Sequence, residues 1–443
     1  MPRPGGHEIS KDFKGSMIRL IKSLAPWKWT MIFALTVAMV SAILALITPD
    51  KLSDFTDVIR LGLINSSIDM GEVKRLAIIM GSLYFSSAVL SFVEGISTTT
   101  VSNYFAKSLR SRISEKINKL PLKYFDSHEA GDVLSRVTND VDTIAQNLNN
   151  SLATIVTSGT LWLGCILMMF ITNWILALTA ILSSIIGLSL MFLILNKSQK
   201  YFMQRQKELG NINGYIEEMY SGHNVVKVYN GTNDAINEFS ELNNKLYNAN
   251  RKSQFLGGLM HPIMGFVGNF GYVMVCIVGA LLTMNDYISF GVIVAFMIYV
   301  RLFTNPLNQI AQAMTSLQST AAASERVFEF LDENEMSDQS DIKKKLHVNK
   351  VKGDISFNNV KFGYDPGRII IKDFSVSVKP GQKIAIVGPT GAGKTTMVNL
   401  LMKFYEINNG DILIDGVSTK ELSRENIHDL FIMVLQDTWL FEG

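Results

Sequence analysis

The feature that most constrains this chain is a set of long apolar runs without charge. Thr30–Pro49, Leu76–Val93, Ser151–Asn173 and Trp174–Leu195 contain no Asp, Glu, Lys, Arg or His. Ser253–Asn285 holds only His261, and the stretch from Tyr287 is uncharged to Arg301 and again to Ala323. A helix needs about 20 mostly apolar residues to cross a bilayer. In lipid each backbone N–H and C=O must be satisfied inside its own segment, so spans are helical. The runs therefore predict six transmembrane helices. Composition agrees: 18% of residues are charged, against about 25% in soluble chains. The deficit lies in 1–330, whereas 331–443 read as a water-soluble domain.

Loop charge sets direction. The N-terminal stretch carries Arg3, Lys11, Lys14, Arg19, Lys22 and Lys28, and the connections 101–150 and 196–252 are rich in Lys and Arg. All three are expected in the cytoplasm. The stretch 50–72 is acidic (Asp50, Asp54, Asp57, Asp69, Glu72), and the connections at 172–174 and 284–287 are very short. These are expected outside, with both termini inside; Lys74 and Arg75 go against the rule. Net charge is +2, which leaves no electrostatic footprint for nucleic acid. Cys165 and Cys276 lie in apolar runs, so no disulfide framework is expected. The polar, basic stretch before Thr30 does not read as a cleavable signal.

The two long inner connections have helical spacing, such as Leu109, Ile113, Ile117 and Leu120. They are poor in the residues that break helices. The spans are therefore expected to continue into the cytoplasm as long helices that turn at 125–136 (FDSHEAGDVLSR) and 211–222 (NINGYIEEMYSG). Gly265, Gly268 and Gly271 are expected to let helices approach closely, and Pro306 to bend the last span. Glu94 and Arg301 fall in the inner half of their spans. There they either sit at a wet wall or line a path and pair with each other.

Residues 383–404 carry the chemistry. Ile384–Val387 is expected to be a short strand. Gly388, Pro389, Thr390, Gly391, Ala392, Gly393, Lys394 and Thr395 then fit G-x-x-x-x-G-K-[ST], and Thr396 opens an apolar helix with Val398, Leu400 and Leu401. Glycines let backbone N–H groups curl round phosphate oxygens, and a helix N-terminus adds a positive dipole end. In such a loop Lys394 reaches the β- and γ-phosphates, and the Thr395 hydroxyl ligates Mg²⁺. The cofactors expected are ATP and Mg²⁺. Upstream, 355–382 alternates as antiparallel strands with turns at Asp365–Gly367 and Pro380–Gly381. Tyr364 at a strand end is either packing or an adenine platform. Residues 410–416 are a further strand and turn, and 423–437 a capped helix followed by an apolar strand and Gln436.

Together these residues resemble a half-transporter of the ATP-binding-cassette (ABC) exporter family, of the bacterial multidrug or lipid exporter kind. KLPLKYFDSHEAGDVLSRVTNDVDTI (119–144) and GYIEEMYSGHNVVKVYN (214–230) look like its coupling segments. AAASERVFEFLDE (321–333) is similar to its junction between last span and cassette. KFGY (361–364) resembles the adenine-stacking motif, which implies that Tyr364 stacks on adenine. VLQDTWLFEG (434–443) resembles the Gln-loop, which implies that Gln436 touches the metal or the attacking water. The resemblance implies an α-helical membrane domain of six transmembrane helices with long cytoplasmic extensions, fused to an incomplete α/β P-loop nucleotide-binding domain.

The expected division is an N-terminal cytoplasmic segment 1–29, a membrane domain 30–330, a linker 331–350 and the first part of the cassette 351–443. No L-S-G-G-Q-type run, no apolar strand ending Asp-Glu and no switch histidine occurs in it. His428 precedes the Gln-loop and is expected on a helix surface. The implied activity is an ATPase that pumps amphipathic small molecules, drugs or lipids across the cell membrane as a homodimer or a heterodimer with a second half-transporter. These 443 residues are expected to bind ATP without hydrolysing it. The alternatives are a non-hydrolysing regulatory or passive half of a heterodimer, and an importer on the same fold.

Overall fold

The computed structural model describes residues 12–128, 130–339, 341–365 and 367–434. The first helix, α1 (Phe13–Ser23), is short; two long helices, α2 (Lys28–Ile64) and α3 (Met70–Lys119), and two six-residue helices, α4 (Leu122–Ser127) and α5 (Ala130–Ser135), follow. A π-helical turn, Arg136–Asp140, leads into α6 (Val141–Thr172). Then come α7 (Trp174–Ser221), α8 (His223–Val228), α9 (Thr232–Gly258), α10 (Met260–Met284) and α11 (Phe290–Asp332). Six of these stretches are long and apolar enough to cross a membrane. The 50 residues of α3 span about 75 Å at ~1.5 Å per residue, far more than a hydrocarbon core of about 30 Å. The helices thus continue beyond the spans, as the periodic spacing of the connections requires.

The chain divides into two compact units. One comprises 23–103 and 146–318 and holds the apolar core of the spans. Leu46 of α2, Cys165 and Met169 of α6, Leu176 of α7, Val275 of α10 and Phe296, Tyr299 and Phe303 of α11 are all buried there. Large apolar side chains such as Phe85, Phe92, Ile171 and Phe192 point out of the unit, as lipid-facing residues do. Polar groups inside it are paired between helices: the Ser41 hydroxyl lies 2.9 Å from that of Ser91 and 3.0 Å from the Ser87 carbonyl. The turn between α6 and α7 is a single residue, because Asn173 caps α7, its Oδ1 accepting from Ile175 and Leu176 N–H at 3.0 Å each.

The other unit comprises 1–22, 104–145 and 319–443. Its sheet has the order β2-β1-β3-β4, built from β1 (Ile355–Phe362), β2 (Ile371–Val378), β3 (Asn409–Ile414) and β4 (Val417–Ser418), all antiparallel. One face of the sheet packs on α12 (Lys394–Leu401): Phe357, Val360, Phe362, Ile371 and Ile412 bury against Met397 and Leu400. The last helix, α13 (Arg424–Leu430), is capped by Ser423, whose Oγ accepts from Asn426 N–H. The C-terminal end of α11 is clamped to neighbouring segments. Asp140 is buried and takes a forked pair from Arg326 at 3.0 and 2.5 Å. Asp332 pairs with Arg19, and buried Lys116 donates to the Glu333 carbonyl and to Glu335.

Several expectations need correction. The acidic stretch 50–72 is not a loop: α2 runs through Pro49 to Ile64, and only 65–69 is connection. A proline forfeits one internal bond without necessarily ending a helix whose flanking turns continue to pack. The second inner turn comes later than expected, because 211–221 complete α7. The chain reverses over Gly222, α8 and Gly231 instead, with Asn230 in the left-handed region after α8. The run Ser253–Asn285 is broken at Gly257–Leu259, so that its first residues belong to α9. Residues 384–387 and 431–434 form no strand. A strand persists only where its N–H and C=O groups find a ladder, and none lies beside these segments among the described residues. Gly265 and Gly268 have nothing within 4 Å of the position a Cβ would take. Gly271 does meet a neighbouring helix, since that atom would lie 3.3 Å from Val300, and a tighter approach is at Gly187, where it would lie 2.3 Å from Val267. No ion pair joins Glu94 to Arg301 among the described residues.

Candidate functional site

The candidate site is built on the turn that follows β1. Gly363 is required there, since a Cβ would lie 2.2 Å from the Arg368 carbonyl oxygen. The backbone closes back through Ile370 N–H on the Phe362 carbonyl at 2.9 Å and an Asp365–Arg368 bridge. The next residue, Tyr364, is therefore fixed at the mouth of the sheet. Its ring meets Phe362 edge-on at 5.0 Å and Tyr405 at 4.9 Å. Its hydroxyl lies 3.2 Å from that of Thr396 in the first turn of α12. The sequence left Tyr364 between packing and ligand; the structure places it beside the glycine loop.

The loop 388–393 is open to solvent along most of its length. Gly391 and Gly393 take φ of +84° and +87°, the left-handed region that favours glycine. Gly393 is also the residue before α12, and a Cβ on it would come within 3.0 Å of Ile370. The backbone thus passes from loop to helix only with glycine at that position. Lys394 is folded onto its own loop, Nζ donating to the carbonyls of Gly388 and Pro389 at 2.9 Å each. Thr395 is exposed in the first helical turn, and Thr396 is buried behind it. The first-turn amides of a helix are orphan donors, so loop and helix end together offer donors and a lysine that pairs with no carboxylate among the described residues.

Gln436 lies outside the described residues. No group of three or more His, Cys, Asp or Glu side chains that could hold a metal occurs among the described residues. His428 is on the exposed side of α13 as expected, and it also touches the end of α12, with Nε2 2.9 Å from the Met402 carbonyl.

Two features of the site were missed from sequence. Tyr405, four residues beyond α12, packs on Tyr364 and donates its hydroxyl to the Asp126 carboxylate at the end of α4. Burial, then the bond to Asp126, pushes the Tyr405 hydroxyl pKa up. Lys403 is buried with a φ of +55°, its ammonium donating to the carbonyls of Thr419 and Leu422 at 2.8 and 2.9 Å. Burial holds its pKa below the usual lysine value. Nothing in the spacing of either residue distinguishes it from its neighbours. Only the return of 122–127 and 419–422 to the same place does.

Comparison with known proteins gives a consistent picture. Residues 31–307 match the family model described as ABC transporter transmembrane region, and residues 371–443 match that described as ABC transporter. A "Fatty acid ABC transporter ATP-binding/permease protein" of Mycobacterium bovis is 36% identical over 98% of this chain and 74% of its own length. An uncharacterized ABC transporter ATP-binding protein, YfiC of Bacillus subtilis, is 35% identical over 98% of this chain and 71% of its own. An "ATP-dependent lipid A-core flippase" of Wigglesworthia glossinidia brevipalpis is 26% identical over 95% of this chain and 74% of its own.

Proposed function

Since the chain belongs to the ABC transporter family, we propose that it is a subunit of an ATP-driven exporter moving amphipathic small molecules, drugs or lipids out of the cytoplasm. The observation that carries this reading is one chain holding both six membrane-type helices and a P-loop. The lipid-like cargoes named for the mycobacterial and Wigglesworthia relatives support an amphipathic substrate. In this reading 30–330 is the membrane domain, 331–350 the linker and 351–443 the cassette region. Both termini are cytoplasmic, and two half-transporters, identical or different, pair.

The residues fit ATP and Mg²⁺. The loop 388–393 is exposed along most of its length, and Gly391 and Gly393 are already in the left-handed region. Lys394 would exchange the carbonyls it now holds for phosphate oxygens, the Thr395 hydroxyl would ligate the metal, and Tyr364 would stack on adenine. Gln436 is assigned to the metal and the attacking water. Bound Mg²⁺-ATP supplies the free energy of a phosphoryl transfer. This chain's part is to hold the phosphates and to sense their presence through Thr396, Tyr364 and Tyr405. From there the contact runs to Asp126, at the tip of the first coupling segment. The second coupling segment is 214–230, whose end exposes Val225 and Val228 of α8 and Tyr229 beyond it.

The 443 residues include no L-S-G-G-Q-type run and no apolar strand ending Asp-Glu. We therefore assign them ATP binding, and hydrolysis to a protein that also carries those motifs. Inside-out membrane vesicles from cells expressing the gene test export. Uptake of a fluorescent amphiphile on addition of ATP, lost in Lys394→Ala, is expected. ATP-driven loss of preloaded dye would identify an importer, and uptake indifferent to ATP would contradict the reading.

A further inference from the structure

The membrane unit contains a cavity of about 470 Å³ lined by residues of α3, α6 and α11. That volume lies in the range of small-molecule sites. Its wall is polar, although all three helices carry membrane spans. It carries one acidic group, Glu94, and the side-chain amides of Asn149, Asn150, Gln309 and Gln312, with hydroxyls between them. No Lys, Arg or His lines it. Glu94 is half-buried and has no ion-pair partner among the described residues. The Ser158 hydroxyl donates to Gln309 Oε1 at 2.7 Å, which leaves the amide nitrogen of Gln309 without a partner among the described residues. By rise per residue Glu94 stands ~27 Å from the outer end of its apolar run. That is near the inner end of the span, where a carboxylate persists because it faces water or a ligand that balances its charge.

We propose that this cavity is a headgroup site for cationic amphiphiles, with the Glu94 carboxylate as the group that reads the positive charge and Gln309 and Asn149 as neutral hydrogen-bonding partners. The proposal rests on the transport reading for its purpose but concerns binding alone. A protonated amine or quaternary ammonium finds its counter-charge at Glu94. A carboxylate headgroup meets a like charge and no cation. Carboxylate against ammonium is the distinction this wall can make, because every other lining group is neutral and serves either headgroup.

The test is equilibrium binding to the full chain in phosphatidylcholine nanodiscs without nucleotide, with empty nanodiscs subtracted. The probes share one tail: dodecyltrimethylammonium and dodecanoate. The expected result is at least about tenfold tighter binding of the ammonium, equivalent to ~1.4 kcal/mol. Glu94→Gln should abolish that preference and Glu94→Asp should keep part of it, while both variants bind ATP as the unaltered protein does. Equal or tighter binding of dodecanoate by the unaltered protein overturns the proposal. So does a preference that survives in Glu94→Gln. Failure of ATP-driven uptake in vesicles, with the ammonium preference intact, would instead count against the transport reading alone.

Discussion

At Tyr364 a binding role can be tested apart from packing: its ring meets Phe362 and Tyr405 edge-on and its hydroxyl reaches Thr396. Stacking of a base on an aromatic ring is worth about 1–3 kcal/mol. Tyr364→Ala should therefore weaken ATP binding by about 5- to 150-fold while leaving inorganic tripolyphosphate binding nearly unchanged, measured by competition against a fluorescent ATP analogue. Equal loss for both ligands would mean that the ring only supports the loop.

Asp415 is a second residue with a single defined task. It follows β3 at a φ of +48°, and its carboxylate accepts from the backbone N–H groups of Lys352, Gly353 and Asp354 at 2.6, 3.0 and 2.8 Å. Burial works to raise its pKa, but the three amides outweigh it and the net displacement is downward. A carboxyl lowered in the folded state stabilises the fold above its unfolded value, near 3.9. That contribution disappears as pH falls through the lower folded value. Asp415→Ala should cost about 1–3 kcal/mol, since it leaves donors unpaired. The deficit should be full at pH 7 and shrink below about pH 4 in denaturant unfolding of the two proteins. A deficit that stays constant through that range would remove the carboxylate's charge from the explanation.

At the scale of elements, much was legible and the reasons are physical. Uncharged runs set the spans, since nothing but a helix hides its backbone in lipid. The glycine spacing set the loop, since only glycine takes the angles at Gly391 and Gly393. Asn173 set the tight turn, and it yields a prediction. Losing an N-cap costs about 1 kcal/mol. Asn173→Ala should therefore speed hydrogen exchange at the first turn of α7, at Ile175 and Leu176, while leaving the middle of α7 unchanged. Uniform exchange across α7 would contradict a local cap.

What was not legible depends on segments far apart in sequence. The expected strands at 384–387 and 431–434 had the right composition, but a strand is a pairing, not a composition. The second inner turn was placed one helix too early, because 211–221 has both turn residues and helix formers. The packing of α7 on α9, with the Tyr215 hydroxyl on the Ala235 carbonyl at 2.9 Å, carries α7 onward to Ser221. Tyr405 and Asp126 are 279 residues apart, and no local pattern announces such a contact.

At the scale of the whole molecule, the account rests on direction and on nucleotide. The proposed direction rests on the basic connections, which the positive-inside rule puts in the cytoplasm. Ser67→Cys, between α2 and α3, should react with a membrane-impermeant maleimide on intact cells. Tyr229→Cys, beyond α8, should react only after permeabilisation. The reverse pattern would invert the topology and detach the P-loop from cytoplasmic ATP.

Nucleotide binding is the central claim, and titration of Mg²⁺-ATP into the full chain in nanodiscs tests it most directly. The account predicts saturable binding that Lys394→Ala weakens by at least about tenfold, the loss of roughly one charge-assisted contact, with unchanged helix content. Absence of saturable binding in the folded protein, or the same affinity in Lys394→Ala, would contradict it.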